Sequence, residues 1–290
     1  MTEFLQLVVS GLAIGSIYGV VALGFVLIYK STDVFNFAQG DLVMVGSYLG
    51  YGVLVATGLP FGAAAVIVLV LSVGLGYLLH RLVFRPLIGS PLLIMVMATI
   101  ALTLVIRGLV VIIWGPAQLN YPSTLPNVPL NILGVRIALI DLIIMAVAAV
   151  AIAAFAVFFR RSRTGLHLRA IAENARAAAV VGINANRMFA IAIIIGMVTA
   201  AVGGLLLANI HTVSSALSEI GLIAFPAAVL GGMRSIPGSI LGGLLIGVIG
   251  QLAAGYLGGT IATAITFAVL LLVLLVRPQG LLGSREVVRA

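Results

Sequence analysis

Three short stretches hold most of the side chains in this chain that could do chemistry. The first is residues 31–41, STDVFNFAQGD, which sets Asp33, Asn36, Gln39 and Asp41 between two apolar runs. Amides at this spacing offer paired donors and acceptors, and Asp41 adds a charge, which together can handle a small polar solute. Two readings stand open. One is an ordinary cytoplasmic turn. The other is a discontinuous helix at a permeation path, with Asn36, Phe37 and Gln39 along it and Asp41 near a helix start. Polar, irregular backbone in a bilayer is tolerated only where it lines protein or water, and the neighbouring Phe35, Phe37 and Gly40 favour the second reading.

The second stretch is residues 209–221, NIHTVSSALSEIG, followed by Pro226. It supplies Asn209, Ser214, Ser215, Ser218 and Glu219, on the other side of the membrane from the first. Ser215 and Glu219 are candidates for the same path, although Ser and Glu at such a position also serve simply to cap a short helix. The third stretch, residues 160–187, carries six of the 15 Lys and Arg of the whole chain against one acid, Glu173. Gly165 breaks the preceding apolar segment, a helix is expected from about Leu166 to Val181, and Gly182 ends it, with Asn184 just beyond. Arg169 and Glu173 stand four apart and Glu173 and Arg176 three apart, so they share a face, beside Asn174. Ala170, Ala177 and Ala178 keep this helix thin. A thin helix with one charged face suits insertion into a groove of a partner protein, whereas a helix lying on lipid would show bulky Trp, Phe or Leu. A solvated basic loop is the alternative.

Other chemistry is poorly supplied. His80, His167 and His211 are scattered without ligand spacing, and there is no Cys, so no metal or thiolate site is expected. The single lysine, Lys30, follows Tyr29 where a phosphate-binding loop needs glycine. A pump of this composition takes its energy from an ion gradient or from another subunit. Arg107, seven residues from the end of an apolar run, is expected to snorkel, with pairing to an acid as the alternative. Asp141 reads as an interfacial residue.

The elements that must position these groups are legible in the composition. Of 290 residues 63 % are hydrophobic and only 8 % charged, with a mean hydropathy of +1.33. A soluble domain with such a surface would be one continuous apolar patch. Apolar runs at 4–29, 42–59, 61–79, 91–113, 137–159, 188–208 and 259–276 approach or exceed the roughly 20 residues that cross a bilayer core. The first run lacks a positive flank and a cleavage site, so it is read as a span rather than a leader. The net charge of +8 belongs to cytoplasmic Arg and not to a nucleic-acid surface: segments 80–90, 160–187 and the tail with Arg277, Arg285 and Arg289 are positive and face the cytoplasm. The loop 114–136 is rich in Pro and external.

These anchors give an all-α integral membrane protein of about nine transmembrane helices, within a range of eight to ten. The N-terminus is outside and the C-terminus cytoplasmic. The shortest crossing, 219–233, is the weakest of the nine. A first four-helix unit (4–113), a linking span (137–159), the loop 160–187 and a second four-helix unit (188–276) make one domain over 1–290, the two units being inverted repeats of the kind transporters use. Glycines at every fourth residue, Gly11, Gly15 and Gly19, then Gly46 and Gly50, then Gly243 and Gly247, permit close helix approach within the bundle or, alternatively, at a subunit interface.

The string RAIAENARAAAVVGINANR (169–187) closely resembles the cytoplasmic loop of LivH-type permease subunits of branched-chain amino-acid ABC importers. GSIYGVVALGFVLIY (15–29), NFAQGDLVMVGSY (36–48), LGGMRSIPGSILGGLLIG (230–247) and RPQGLLG (277–283) are similar to the same family, in collinear order over almost the whole chain. The chain departs at Gln39, where the family often has His, and at Asp41, where it often has Glu. The resemblance implies a non-enzymatic permease subunit in the bacterial inner membrane, carrying leucine, isoleucine and valine, or urea or short amides. It implies no cofactor on this chain: ATP and Mg sit on two cytoplasmic ATPase subunits. The other partners implied are a LivM-like permease and a periplasmic or lipid-anchored binding protein. The ATPase-coupling helix would then be the loop bearing Gly165, Arg169, Glu173, Asn174, Arg176, Gly182 and Asn184. An ion-coupled transporter relying on Asp41 or Glu219, or a passive channel, are the competing classes.

Overall fold

A computed structural model of the chain describes residues 2–122, 125–126, 128–132 and 135–283, with backbone alone at 132, 135, 175 and 176. Arg285 and Arg289 and part of the 114–136 loop therefore lie outside the described residues. The elements in order are α1 (Thr2–Thr32), α2 (Gln39–Thr57), α3 (Phe61–Leu79), which runs through a π turn at His80–Phe84 into α4 (Arg85–Leu87), and α5 (Leu92–Trp114). A hairpin of β1 (Pro129–Ile132) and β2 (Val135–Ala138) follows, then α6 (Leu139–Arg161), α7 (Arg163–Glu173), α8 (Ala175–Val180) and α9 (Ala185–Ala208). The chain finishes with α10 (Leu217–Leu222), α11 (Ala224–Gly231), α12 (Ile236–Leu257) and α13 (Gly259–Val276). The hairpin is an addition to the expected all-α fold: it is antiparallel, with Pro129 opposite Ala138 and Ile132 opposite Val135.

Eight of these helices, counting α3 and α4 as one, are long and apolar enough to cross a membrane. The segment expected as a ninth crossing is different in kind. Leu217–Gly231 is shorter and consists of two helices that meet at Ile223. Pro226 sits in the first turn of α11, where it has no N–H to contribute. The two ends of this pair are held by different parts of the chain. Just before it, Val213 exchanges both backbone hydrogen bonds with Leu119 of the loop after α5 (2.9 and 3.0 Å). At its other end Leu281 and Leu282 of the chain's tail donate to the carbonyls of Leu230 and Gly231 (2.8 and 3.1 Å).

The helices are apolar around their whole circumference, so local amphipathicity cannot decide which of them is central; close backbone contact does. In α1, 89 % of the most apolar stretch is buried, against 17 % in α13, so α1 is the axis of the bundle. A Cβ added to Gly11 would stand 2.7 Å from Val248 Cα, and one on Gly15 2.8 Å from Leu244 Cα. The glycine ridge of α1 thus lies directly on that of α12, while Gly46 of α2 lies against Ala201 of α9. These ridges are spent on packing within the chain. Around this core α1 packs on α9, α11 and α12, and α9 packs on α1, α2 and α3. Asp141, at the start of α6, is not left at the surface alone: the Ser10 hydroxyl donates to its Oδ2 (2.9 Å).

Candidate functional site

Residues 33–38 form an unwound strap between α1 and α2. The helix stops at Asp33, whose φ of +53° is in the left-handed region, a conformation that Asp tolerates better than most residues. Asn36 then starts α2: its Oδ1 accepts from the backbone N–H of Ala38 (3.2 Å), and its Nδ2 donates to Gln39 Oε1 (3.3 Å). The Gln39 amide donates in turn to the carbonyl of Gly196 on α9 (2.9 Å). It fits because two glycines flank it; a Cβ on Gly24 would stand 2.7 Å from Gln39 Nε2. Asn36 and Gln39 are thus enclosed, at 2 % and 0 % exposure. They do not face an open path in this structure; they pin the strap to α9.

The charge of the strap is handled next door. Arg107 does not snorkel: its Nε donates to Asp41 Oδ1 at 2.7 Å, and its Nη2 to Ser218 Oγ at 3.0 Å. The Ser218 hydroxyl donates onward to the Ser215 carbonyl (2.9 Å). Three helices remote in sequence, α2, α5 and α10, are joined in this way. Their approach depends on small residues, for a Cβ on Gly221 would be 3.0 Å from Gly40 Cα. The Asp41 side chain is 3 % exposed but that of Arg107 is 45 % exposed. Phe37, Ser215, Glu219 and Leu222 are exposed. The rings of Phe35, Phe37 and Phe225 form a cluster with centroids 5.4 to 6.4 Å apart.

The two polar stretches, placed on opposite sides of the membrane by the sequence, therefore meet. Residues 209–216 do lie at the end marked by Leu119, but Ser218 is joined to Asp41 through Arg107 and Phe225 packs on Phe35. Arg107 and Leu222 complete this arrangement and were not among the path candidates. The signal for Arg107 was present, since an Arg well inside a 23-residue apolar helix calls for a partner. Among the described residues no three His, Asp or Glu side chains come together to hold a metal ion. Lys30 lies within α1 and in no loop that could wrap a phosphate.

The charged loop has its own geometry. Ser162 caps α7, its hydroxyl accepting from the Gly165 N–H (2.8 Å). Gly165 is required at this corner, because a Cβ there would stand 2.7 Å from the Phe158 carbonyl oxygen. The single helix expected from Leu166 to Val181 is broken at Asn174. Its backbone is extended and its side chain caps α8 by accepting from the Ala177 N–H (2.9 Å). This break places Glu173 and Arg176 on different helices, so they share no helical face; the Arg176 side chain itself lies outside the described residues. Gly182, with φ +85°, closes α8, and Asn184 caps α9 through the Arg187 N–H (3.0 Å). Leu168 and Ile171 of α7 are buried with Leu23 and Leu27 of α1, Phe155 and Phe159 of α6, and Met188 of α9. Arg169, Glu173 and Asn174 face outward.

Residues 7–276 match the protein family described as branched-chain amino acid transport system / permease component. The chain belongs to this permease family. It is 33 % identical to the permease protein LivH of the high-affinity branched-chain amino acid transport system of Escherichia coli (strain K12), over 98 % of this chain and 97 % of that protein. The corresponding BraD of Pseudomonas aeruginosa is 34 % identical over the same shares. A probable LivH of Methanocaldococcus jannaschii is 27 % identical over 90 % of this chain and 87 % of that protein. Among solved structures, PsaBC from Streptococcus pneumoniae in complex with Fab is similar in fold, with a TM-score of 0.50 and 13 % identity, covering 95 % of this permease and 92 % of that chain. The permease is a multi-pass membrane protein.

Proposed function

We propose that this permease is one membrane-spanning half of an ABC importer in the bacterial inner membrane, moving leucine, isoleucine and valine with energy from two partner ATPases. The observation that carries this reading is the likeness to LivH and BraD along 98 % of the chain. The remaining partners in this reading are a second, LivM-like permease and a binding protein that delivers the solute. ATP and Mg are held by the ATPases.

The positions of the helix ends support nine crossings. Arg81 and Arg85 border the same cleft as Asn184 and Arg187, and Lys30 is within electrostatic reach of Arg169, Glu173 and Arg234. With Arg234 hydrogen-bonded to Asp33 (3.2 Å) and the tail bonded to Gly231, these positive segments gather at one end, which is the cytoplasmic end by charge. The short α10–α11 pair then connects the outer end at Val213 to the inner end at Gly231, completing nine, with the N-terminus outside. Support for inverted repeats comes from reciprocal packing: α1 lies on α11 and α12 as α9 lies on α2 and α3.

Coupling works through contacts already formed. An ATPase groove receives the outer face of α7 and α8, with Arg169, Glu173 and Asn174. The inner face, Leu168 and Ile171, is wedged against the end of α1. That end continues into the strap, and the strap is tied to α9 by Gln39 and to α5 and α10 by Asp41. A shift of α7 therefore reaches the polar site through packed and hydrogen-bonded groups, and alternate access is a change between two packings of this set. The test is uptake of labelled leucine into proteoliposomes holding the full complex and binding protein. Uptake requiring ATP and every partner supports the reading; leucine flux through this chain alone overturns it in favour of a channel or ion-coupled carrier.

A further inference from the structure

We propose that the positively charged end of α3 holds an anionic phospholipid, with its phosphate in a cleft lined by Arg81, Arg85 and Arg187 and an acyl chain in the apolar groove between α3 and α5. This goes beyond the importer reading and needs only that the chain lies in a membrane. The spacing along α3 and its continuation carries the first part. Tyr77, Arg81 and Arg85 recur at every fourth residue, so they share one stripe of the helix. They border a cavity of about 290 Å³ whose other wall is the start of α9, with Asn184, Asn186 and Arg187. All three arginines are exposed, and none makes an ion pair among the described residues. No carboxylate is among the described residues that line the cavity. A cleft lined by one sign of charge concentrates counter-ions, and the guanidinium fork matches a phosphate. The first turn of α9, a helix of 24 residues, adds the positive end of its dipole.

The neighbouring stripe of the same helix indicates what carries the phosphate. Leu75, Leu78, Leu79, Leu82 and Val83 repeat at helical spacing and line a second cavity, of about 400 Å³. Apolar residues of α2, Met197 of α9 and α5 from Leu102 to Trp114 complete it. Because α3 packs on α2 and α9 while α5 packs on α2, α2 is the floor of a groove between α3 and α5. Leu78, Leu82, Val105 and Leu109, which line it, are exposed. Between Leu102 and Trp114 a helix rises about 18 Å, more than the roughly 15 Å depth of one leaflet of the hydrocarbon core. The two cavities thus adjoin along residues 75–85, one basic and one purely apolar. A soluble phosphate leaves the groove empty, and an uncharged lipid leaves the arginines unpaired. A phosphate with an acyl chain fills both. Asn184 caps α9 directly after the charged loop, so a bound head group ties the end of that loop to α3.

The experiment titrates the purified full chain, in non-ionic detergent, with dioleoyl phosphatidylglycerol, dioleoyl phosphatidylcholine and soluble glycerol phosphate, and counts bound molecules by native mass spectrometry. The chain is expected to prefer phosphatidylglycerol over both other probes. Combining Arg81→Gln, Arg85→Gln and Arg187→Gln is expected to weaken phosphatidylglycerol by about ten- to a hundredfold, since each basic residue near an anionic membrane surface is worth about fivefold. Phosphatidylcholine binding is expected to stay unchanged. Arg160→Gln with Arg161→Gln, outside the cavity, is expected to leave both lipids unchanged. Leu82→Trp, at an exposed position of the groove, is expected to weaken both lipids and to leave glycerol phosphate as it was. Equal binding of the two lipids by the native chain, or an undiminished preference in the triple variant, overturns the proposal. Glycerol phosphate bound as tightly as phosphatidylglycerol overturns it in favour of a soluble phosphate. A triple variant that keeps the lipid but no longer co-purifies with the ATPase subunits overturns it in favour of a protein partner.

Discussion

Asp41 and Arg107 contribute unequally to their pair, because the carboxylate is enclosed and the guanidinium is half open. Removing the partner of a buried charge leaves it desolvated and uncompensated, at a cost of about 3–5 kcal/mol in fully buried cases. Arg107→Met is therefore expected to lower the thermal midpoint of the purified protein more than Asp41→Asn, with the double substitution recovering part of the difference. Equal shifts for the two single variants, read by thermal unfolding in detergent, would mean that Asp41 is not dependent on Arg107. Gln39 acts in the same region by another route. Its amide occupies a slot between Gly24 and Gly196, so Gln39→Ala removes the bond to the Gly196 carbonyl and opens a small void. A loss of about 1–3 kcal/mol is expected, together with slower leucine uptake, since the strap loses its hold on α9. Transport and stability both unaltered would reduce residues 33–38 to a plain turn. The residue types at 36, 39 and 41 were enough to mark this stretch as unusual. Of their partners, Arg107 is marked by its place inside an apolar helix, whereas Gly196 carries no mark in the sequence that would single it out.

Among the elements, α1 and α12 set the frame, and α7 with α8 carries the proposed coupling. Gly15→Val places a branched side chain where the backbone of α12 lies, which overpacking makes destabilising by about 1–3 kcal/mol or more; retention of normal expression and melting would show that these helices separate more readily than their contact implies. In the charged loop, Asn174→Ala removes the cap of α8 at a cost of about 1 kcal/mol, a local effect, whereas Glu173→Arg reverses a charge on the face proposed to meet the ATPase. The second change is expected to abolish ATP-driven uptake with membrane insertion intact, and uptake at the normal rate would count directly against docking there. The break expected at Gly165 lies at Ser162, which caps α7 with Gly165 inside the helix, but the far limit of this loop, Gly182, could be read from glycine alone. The break at Asn174 could not, because an Asn within an Ala-rich run is compatible with either a continuous helix or a cap, and the packing of Leu168 and Ile171 against α1 selects the second.

For the whole molecule the sidedness of α10 and α11 is the point that orders everything else. Because the chain has no Cys, a single introduced thiol reports cleanly. Thr212→Cys is expected to react with a membrane-impermeant reagent from outside the cell and Pro237→Cys only after permeabilisation; reaction of both from one side would remove the ninth crossing and with it the inverted repeat. Long apolar runs determine by themselves that this chain spans a membrane as helices, since lipid leaves the backbone no other way to satisfy its hydrogen bonds. Arginine placement likewise points to which loops are proposed to be cytoplasmic. Neither property specifies neighbours. The meeting of Arg107 with Asp41, 66 residues away, and with Ser218, 111 residues away, depends on how glycine-lined helices settle against one another. That packing is decided by shape over many residues at once, so only the tertiary structure turns two separate polar stretches into one site.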